Sequence, residues 1–168
     1  MEAAISFTLN ESNMSTSLTF GNLTFTPADS TGLTFVMMSD SDVNISDNAF
    51  RNNANLTTIT FLPKVKSIGN GAFADCSNLT DVFINTNSDL VVIPECCFQN
   101  CSKLKDIVLP NNIEIIGIKS FENCTDLEYI NIPEKVYEIG SEAFNGCHNL
   151  MNVNLDNYFR NKAKMQNA

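Results

Sequence analysis

Positive charge is scarce in this chain. Its 168 residues hold 10 Lys and Arg against 19 Asp and Glu, a formal net charge of −9. That balance argues against nucleic acid, because phosphate repels an acidic surface. The one basic group, Arg160, Lys162 and Lys164, reads as a solvated end. Long apolar runs are also missing. No stretch approaches the ~20 residues of a membrane span. The opening residues, MEAAISFTLNES, lack the positive start and apolar run of a signal peptide. There is no myristoylation motif and no prenylation cysteine. The chain as written therefore reads as soluble and cytosolic, without an export address.

Catalytic signatures are equally thin. His148 is the sole histidine. There is no HExxH, no phosphate loop and no Ser-His-Asp set, and no Cys-x-x-Cys pair to hold zinc. His148 follows Cys147, but sequence neighbours on a turn point apart, so a Cys-His dyad is not expected. Asp40-x-Asp42-x-Asn44 begins like a calcium loop. It then puts Ile45 where Gly is needed and Arg51 where Glu is needed, so these read as solvated turn residues. Neither an enzyme nor a cofactor or metal site is expected.

What the chain has is a repeat. Phe50, Phe73, Phe98, Phe121 and Phe144 stand 23, 25, 23 and 23 residues apart. Cys76, Cys101, Cys124 and Cys147 follow the last four by three residues. Leu56, Leu79, Leu104, Leu127 and Leu150 follow all five by six. A period of this size is the signature of a solenoid. After each Leu comes an alternating pair: Ile59/Phe61, Val82/Ile84, Ile107/Leu109, Ile130/Ile132 and Val153/Leu155. Period two means a short strand with one buried face. Leu33/Val36/Met38 fits the same template one unit earlier.

A second apolar pair closes each rung: Val65/Ile68, Leu90/Ile93, Ile113/Ile116 and Val136/Ile139. In the first full unit only Ile45 is in register, and Val43 sits one place late. Small residues precede each Phe (Ala49, Ala72, Cys97, Ser120, Ala143), which marks a tightly packed column. The place before that (Asn48, Gly71, Cys96, Lys119, Glu142) should face water. Gly69, Gly117 and Gly140 share a column with Ser46 and Pro94. Proline fixes φ near −65°, so these glycines should mark a close approach between turns, not a left-handed backbone. Pro63, Pro110 and Pro133 end strands, and Asn85 to Asp89 contains a two-residue insertion at a surface edge. The four cysteines of the repeat column read as a buried ladder, with Asn53 in the same column. Cys96 is the one cysteine in a solvent-facing column and the best candidate for a reactive thiol.

The pattern Leu-x-x-Ile-x-Ile-Pro-x-x-Val-x-x-Ile-Gly-x-x-Ala-Phe-x-x-Cys-x-x-Leu is best seen in LEYINIPEKVYEIGSEAFNGCHNL and KDIVLPNNIEIIGIKSFENC. It resembles the BspA-like, or Treponema pallidum type, leucine-rich repeat over roughly Leu33 to Asp156. The resemblance implies a β-rich α/β repeat: a right-handed leucine-rich repeat solenoid with parallel strands and short α or 3₁₀ turns. It also implies a surface or secreted protein, for which adhesion to host proteins is the usual proposal. The cell surface thus follows from the resemblance, and the cytosol from the chain as written.

Three regions are expected. Residues 1–32 form an N-terminal β cap, with Ile5, Phe7 and Leu9 alternating before a hairpin around Gly21-Asn22. Residues 33–156 form the solenoid, with one partial and five fuller repeats. Residues 157–168 form a polar tail or short capping helix, in which Tyr158, Phe159 and Met165 are the available cover, and Asp156 or Asn157 is the available cap. If the tail leaves the last rung open, that edge is a surface for self-association. N-x-Ser/Thr triplets at Asn10, Asn13, Asn22, Asn44, Asn55, Asn78, Asn100 and Asn123 matter only for a chain exported in a eukaryote.

Outward strand positions give two columns: Thr58, Asp81, Asp106, Tyr129, Asn152, and Thr60, Phe83, Val108, Asn131, Asn154. An apolar centre at Phe83 and Val108, beside Asp81, Asp106 and Tyr129, suits a protein partner carrying Lys or Arg. The reading is a non-catalytic protein-interaction module. Its alternatives are a structural or self-assembling module and a cytosolic scaffold.

Overall fold

The computed structural model describes the backbone of residues 18–20, 23–25 and 33–37, and residues 42–159 except 62, 152, 156 and 157. Ile5, Phe7, Leu9, Met38, Asp40, Asn152, Met165 and the caps offered by Asp156 and Asn157 lie outside the described residues.

Strands appear where the alternation puts them in every unit but the last: Val153 and Leu155 form none, because no following coil pairs with that edge among the described residues. β1 (Leu18–Phe20) and β2 (Leu23–Phe25) pair antiparallel, with Phe20 opposite Leu23; the expected turn residues Gly21 and Asn22 lie outside the described residues. The main sheet is parallel and contains β3 (Leu33–Met37), β5 (Leu56–Phe61), β7 (Asp81–Ile84), β9 (Asp106–Ile107) and β11 (Tyr129–Ile130), side by side in chain order. The second apolar pair forms shorter side strands. β4 (Val43–Asn44) pairs with β6 (Val65–Ser67), and β8 (Val92–Ile93), β10 (Ile115–Ile116) and β12 (Glu138–Ile139) form a third parallel sheet. The fold is a parallel-strand solenoid with almost no helix.

Two register details differ from the template. In β3 the partners of Ile59 and Phe61 are Phe35 and Met37, not Val36 and Met38. Between Leu33 and Thr34 the pairing skips Thr57 of β5, which takes the register one residue out of step with the template. Val43, one place late in sequence, pairs with Val65 because a second irregularity comes directly after it.

The return side of each coil differs more. Short α or 3₁₀ turns are the sequence expectation, but the segments are chains of overlapping i→i+3 turns broken by left-handed residues. In the first, Ala49 N donates to Ser46 O, Arg51 N to Asn48 O and Asn53 N to Phe50 O. The third residue of the first and last of these turns has positive φ: Asn48 at 55° and Asn52 at 60°. Such a residue stops a right-handed helix from propagating. The alternate N–H groups are left for the next coil. Asn48, Phe50 and Asn52 donate to Asn70, Ala72 and Ala74 at 2.9, 2.7 and 2.9 Å. The same three bonds recur at each later step, ending with Lys119, Phe121 and Asn123 donating to Ser141, Ala143 and Asn145.

These bonds hold the arcs one above another, and the core follows. Phe50, Phe73, Phe98, Phe121 and Phe144 form one file of stacked rings, with centroids 5.0, 5.5, 5.5 and 5.5 Å apart. Interplanar angles stay at 16° or less. Each such contact adds about 0.5–1.5 kcal/mol to ordinary burial. Leu56, Leu79, Leu104 and Leu127 are fully buried beside the file. At the C-terminal end Tyr158 joins the core and Phe159 is left exposed, its N–H bonded to Leu155 O in one i→i+4 turn.

The glycine column behaves as Pro94 implies. Gly69, Gly117 and Gly140 have no left-handed φ. A Cβ on Gly140 would lie 2.4 Å from Ile118 N and 2.7 Å from Gly117 C. In the small-residue column, Ser120 Oγ is buried without a hydrogen-bond partner, while Ala occupies positions 49, 72 and 143. Ser120→Ala should therefore stabilise the fold by about 1 kcal/mol, and Gly140→Ala should destabilise it by about 1–3 kcal/mol because the coils must part. Urea unfolding of the two variants checks this. A neutral Gly140→Ala would contradict the close approach.

Candidate functional site

The cysteine column is a scaffold. Cys76, Cys101, Cys124 and Cys147 donate their thiols to the carbonyls of Phe50, Phe73, Phe98 and Phe121, one coil back, at 3.0–3.2 Å. In the same column Asn53 Oδ1 accepts the N–H of Asn55 at 3.1 Å. All six cysteines are free thiols. Burial pushes the thiols of Cys97, Cys101 and Cys124 far up, that of Cys76 to about 12 and that of Cys147 to about 11. Cys96 is only half-buried, but desolvation and the Glu95 carboxylate raise it too. It is not activated as a nucleophile, and Cys147 shares its partial exposure. His148 is exposed while the Cys147 thiol turns inward. Of the calcium-like residues, Ile45 is core and Asp42 lies 3.9 Å from Lys66 Nζ.

Asparagines tie the coils at the surface. The second left-handed position in each arc holds Asn52, Asp75, Asn100, Asn123 and Gly146. Asn100 donates to Asp75 at 2.6 Å and Asn123 to Asn100 at 2.9 Å. Asn78 donates to Ala54 O at 2.7 Å. Asn44 accepts from the Ser67 hydroxyl at 2.7 Å, so four of the N-x-Ser/Thr asparagines are engaged in cross-coil bonds. The sequence reading missed this left-handed column; its signal was the run of Asn, Asp and Gly, the residues that tolerate such a backbone. Its companion gave no such signal: Lys119, Glu142 and Cys96 occupy left-handed positions with no sequence cue. The expectation that this companion column faces water holds for Asn48 and Glu142. Gly71 is buried, and Cys96 and Lys119 are half-buried.

A few charges off the sheet are paired, most of them across coils. Arg51 meets Asp75 at 3.0 Å, Lys66 bonds Asp89, and Lys119 lies 3.1 Å from Glu142 and 3.7 Å from Glu122. The Asp89 bond raises the Lys66 ammonium and lowers the Asp89 carboxyl. Gln99, donating at 2.6 Å, holds Glu122 below its usual range.

The sheet face is different. Thr58, Asp81, Asp106 and Tyr129 stand in register across β5, β7, β9 and β11. Phe83 pairs with Thr60, and Val108 follows β9 by one residue. Phe83 is 56% exposed, Tyr129 49% and Val108 48%, while Asp81 and Asp106 are also exposed. All five candidate residues are therefore outward. Asn131 is not available, because its amide brackets Leu109, accepting from its N–H at 2.6 Å and donating to its C=O at 3.0 Å.

A second apolar outward set, Val91, Val92 and Ile118 around half-buried Ile115, lies by the third sheet. The sequence reading missed it. Its signal was two apolar neighbours, Val91-Val92, where alternation requires one outward residue. A shallow depression of about 250 Å³ lies on the arc side between Asp47, Arg51, Asn70, Glu95 and Cys96. Among the described residues no helix is long and apolar enough to cross a membrane, and no cluster of His, Cys, Asp or Glu could hold a metal.

Comparison with known proteins adds the family context. A family model, BspA type leucine-rich repeat region, matches residues 19–151 in six copies. The fold is similar to a T. pallidum leucine-rich repeat protein, with 31% identity and a TM-score of 0.68, over 73% of this chain and 58% of that one. It is also similar to a leucine-rich cell surface protein of Faecalibacterium prausnitzii, with 33% identity and a TM-score of 0.66, over 71% of this chain and 31% of that one. A leucine-rich repeat protein of Bacteroides ovatus matches at 28% identity and a TM-score of 0.62, over 92% of this chain and 40% of that one. The chain thus spans less than two thirds of each of these relatives. No curated protein matches it.

Thiol chemistry tests the ladder. In the native protein at pH 8, Ellman's reagent should leave Cys76, Cys97, Cys101 and Cys124 untouched, with slow reaction at Cys96 and Cys147 only. All six should react in denaturant. Prompt reaction of more than two native thiols would contradict the buried column.

Proposed function

This chain belongs to the BspA-type leucine-rich repeat family, whose repeats generally serve protein interaction, and from that premise we propose that it binds a protein through its main sheet face, in adhesion or surface recognition. The observation that carries the reading is the exposed set Phe83, Val108 and Tyr129, grouped on adjoining strands and flanked by Asp81 and Asp106. Apolar and aromatic anchors in the middle with charge beside them is the composition of binding surfaces. Aromatic residues this exposed are not needed by the core, which is complete beneath them. The repeat fold is a non-catalytic one, and absence of enzymatic activity belongs to the same proposal. The cell-surface name of the Faecalibacterium relative supports a surface location for this chain.

A second reading, self-association at the C-terminal end, has one observation in its favour. The N–H groups of Glu142, Phe144 and Gly146 are the next members of the cross-coil series. Among the described residues they have no acceptor. Phe144, Cys147 and Leu150 are only half-buried there. Light scattering across a concentration series decides this: a mass that rises with concentration supports it, and a constant monomer mass removes it.

For the sheet face, Phe83→Ala/Tyr129→Ala should keep the fold and its thermal midpoint while partner capture in a quantitative pull-down falls by at least about tenfold. Unchanged capture by the folded double variant would rule this face out as the binding surface.

A further inference from the structure

Asp81 and Asp106 are paired in register on adjacent parallel strands. Among the strand pairs of the described residues, this is the one place where like charges stand side by side. Such a pair is destabilising. Neither carboxylate forms an ion pair among the described residues. Asp81 has only a local partner, the Thr80 hydroxyl at 2.6 Å. Lys105, next to Asp106, forms no ion pair with either. Asp75, Asp89, Glu122 and Glu142 each meet a cation of a neighbouring coil or turn, and the other unpaired carboxylates stand singly; Asp81 and Asp106 are set apart by standing in register with each other.

The surroundings specify what would complete the pair. Phe83 lies two residues beyond Asp81 on the same outward face, and Val108 two beyond Asp106. Tyr129 stands in register with Asp106 on the far side. A ligand cation must therefore bridge two carboxylates about one strand spacing apart, ~4.8 Å, with aromatic and apolar surface against its stem. An ammonium is a point charge, whereas a guanidinium presents a planar fork of donors and stacks on aromatic faces. Its three-carbon stem also covers apolar surface.

Resting on the sheet-face reading above, we propose that the partner presents an arginine, in an extended segment laid across β7, β9 and β11, whose guanidinium bridges Asp81 and Asp106 while neighbouring apolar side chains cover Phe83, Val108 and Tyr129. The arginine offsets the like charge of the two carboxylates.

The test uses three blocked hexapeptides of alternating residues: Arg-Leu, citrulline-Leu and Glu-Leu. Citrulline keeps the shape of arginine without its charge. Amide shifts of residues 81–83, 106 and 129 are followed by NMR titration into the native chain. The expected result is binding of the arginine peptide at least about tenfold tighter than the citrulline peptide, with no binding of the glutamate peptide. In Asp81→Asn/Asp106→Asn that preference should vanish, while the thermal midpoint stays equal or rises as the repulsion is removed. Phe83→Ala/Tyr129→Ala should weaken the arginine and citrulline peptides alike. Equal affinity for these two peptides, a preference that survives in the double asparagine variant, or no arginine-dependent shift at millimolar peptide overturns the arginine inference. The sheet-face reading falls separately, if partner capture ignores Phe83 and Tyr129.

Discussion

A phenylalanine at the centre of a coil cannot be buried by that coil alone. One coil is a single chain thickness, and each ring finds its second and third surfaces only on the coils before and after it. This is the constraint on which the structure depends. The rings of Phe73, Phe98 and Phe121 are fully buried because each lies between two others. Stacking at this spacing requires the arcs to be in contact. Contact in turn requires that no Cβ stand at Gly69, Gly117 or Gly140, and that alternate N–H groups point along the axis instead of back into their own turn. The left-handed residues that interrupt each arc are the means: they turn a would-be helix into a run of turns with donors left over for the next coil.

The thiol ladder and the asparagine ladder arise from the same stacking. A Phe carbonyl already accepts the N–H three residues on, and its second lone pair faces the next coil. A small side chain with a donor satisfies it there. Cysteine does this with little volume, so it recurs at the position. The thiols are therefore structural for the same reason that they are inert: each is buried against backbone with its proton engaged. The repulsive carboxylate pair at Asp81 and Asp106 stands apart from this economy, as do the aromatic rings beside it.

Periodicity made the inside legible. The file of Phe50 to Phe144, the Leu column, the close glycines and the cysteine ladder all follow from residue type recurring at fixed spacing, because burial imposes the same demand at every coil. The five outward candidates were readable for the same reason, since strand alternation fixes facing. What failed to show in the sequence was backbone conformation on the turn side. Lys119, Glu142 and Cys96 sit at positive φ because neighbouring turns hold them there, against their own preference. The slip between β3 and β5 was hidden likewise, since Phe35 and Val36 are both apolar and the skipped Thr57 leaves no compositional trace. The cover given by Tyr158, where Phe159 was as good a candidate by type, depends on the direction of one turn.

The most direct measurement of the stacking claim is a double-mutant cycle on the ring file, with Phe→Leu substitutions to keep the fold intact. Adjacent rings Phe73 and Phe98 should show a coupling of about 0.5–1.5 kcal/mol in equilibrium unfolding. Phe73 and Phe121, separated by one coil, should be additive within about 0.5 kcal/mol. Additivity of the adjacent pair, or equal coupling of both pairs, would contradict a core built from nearest-neighbour ring contacts.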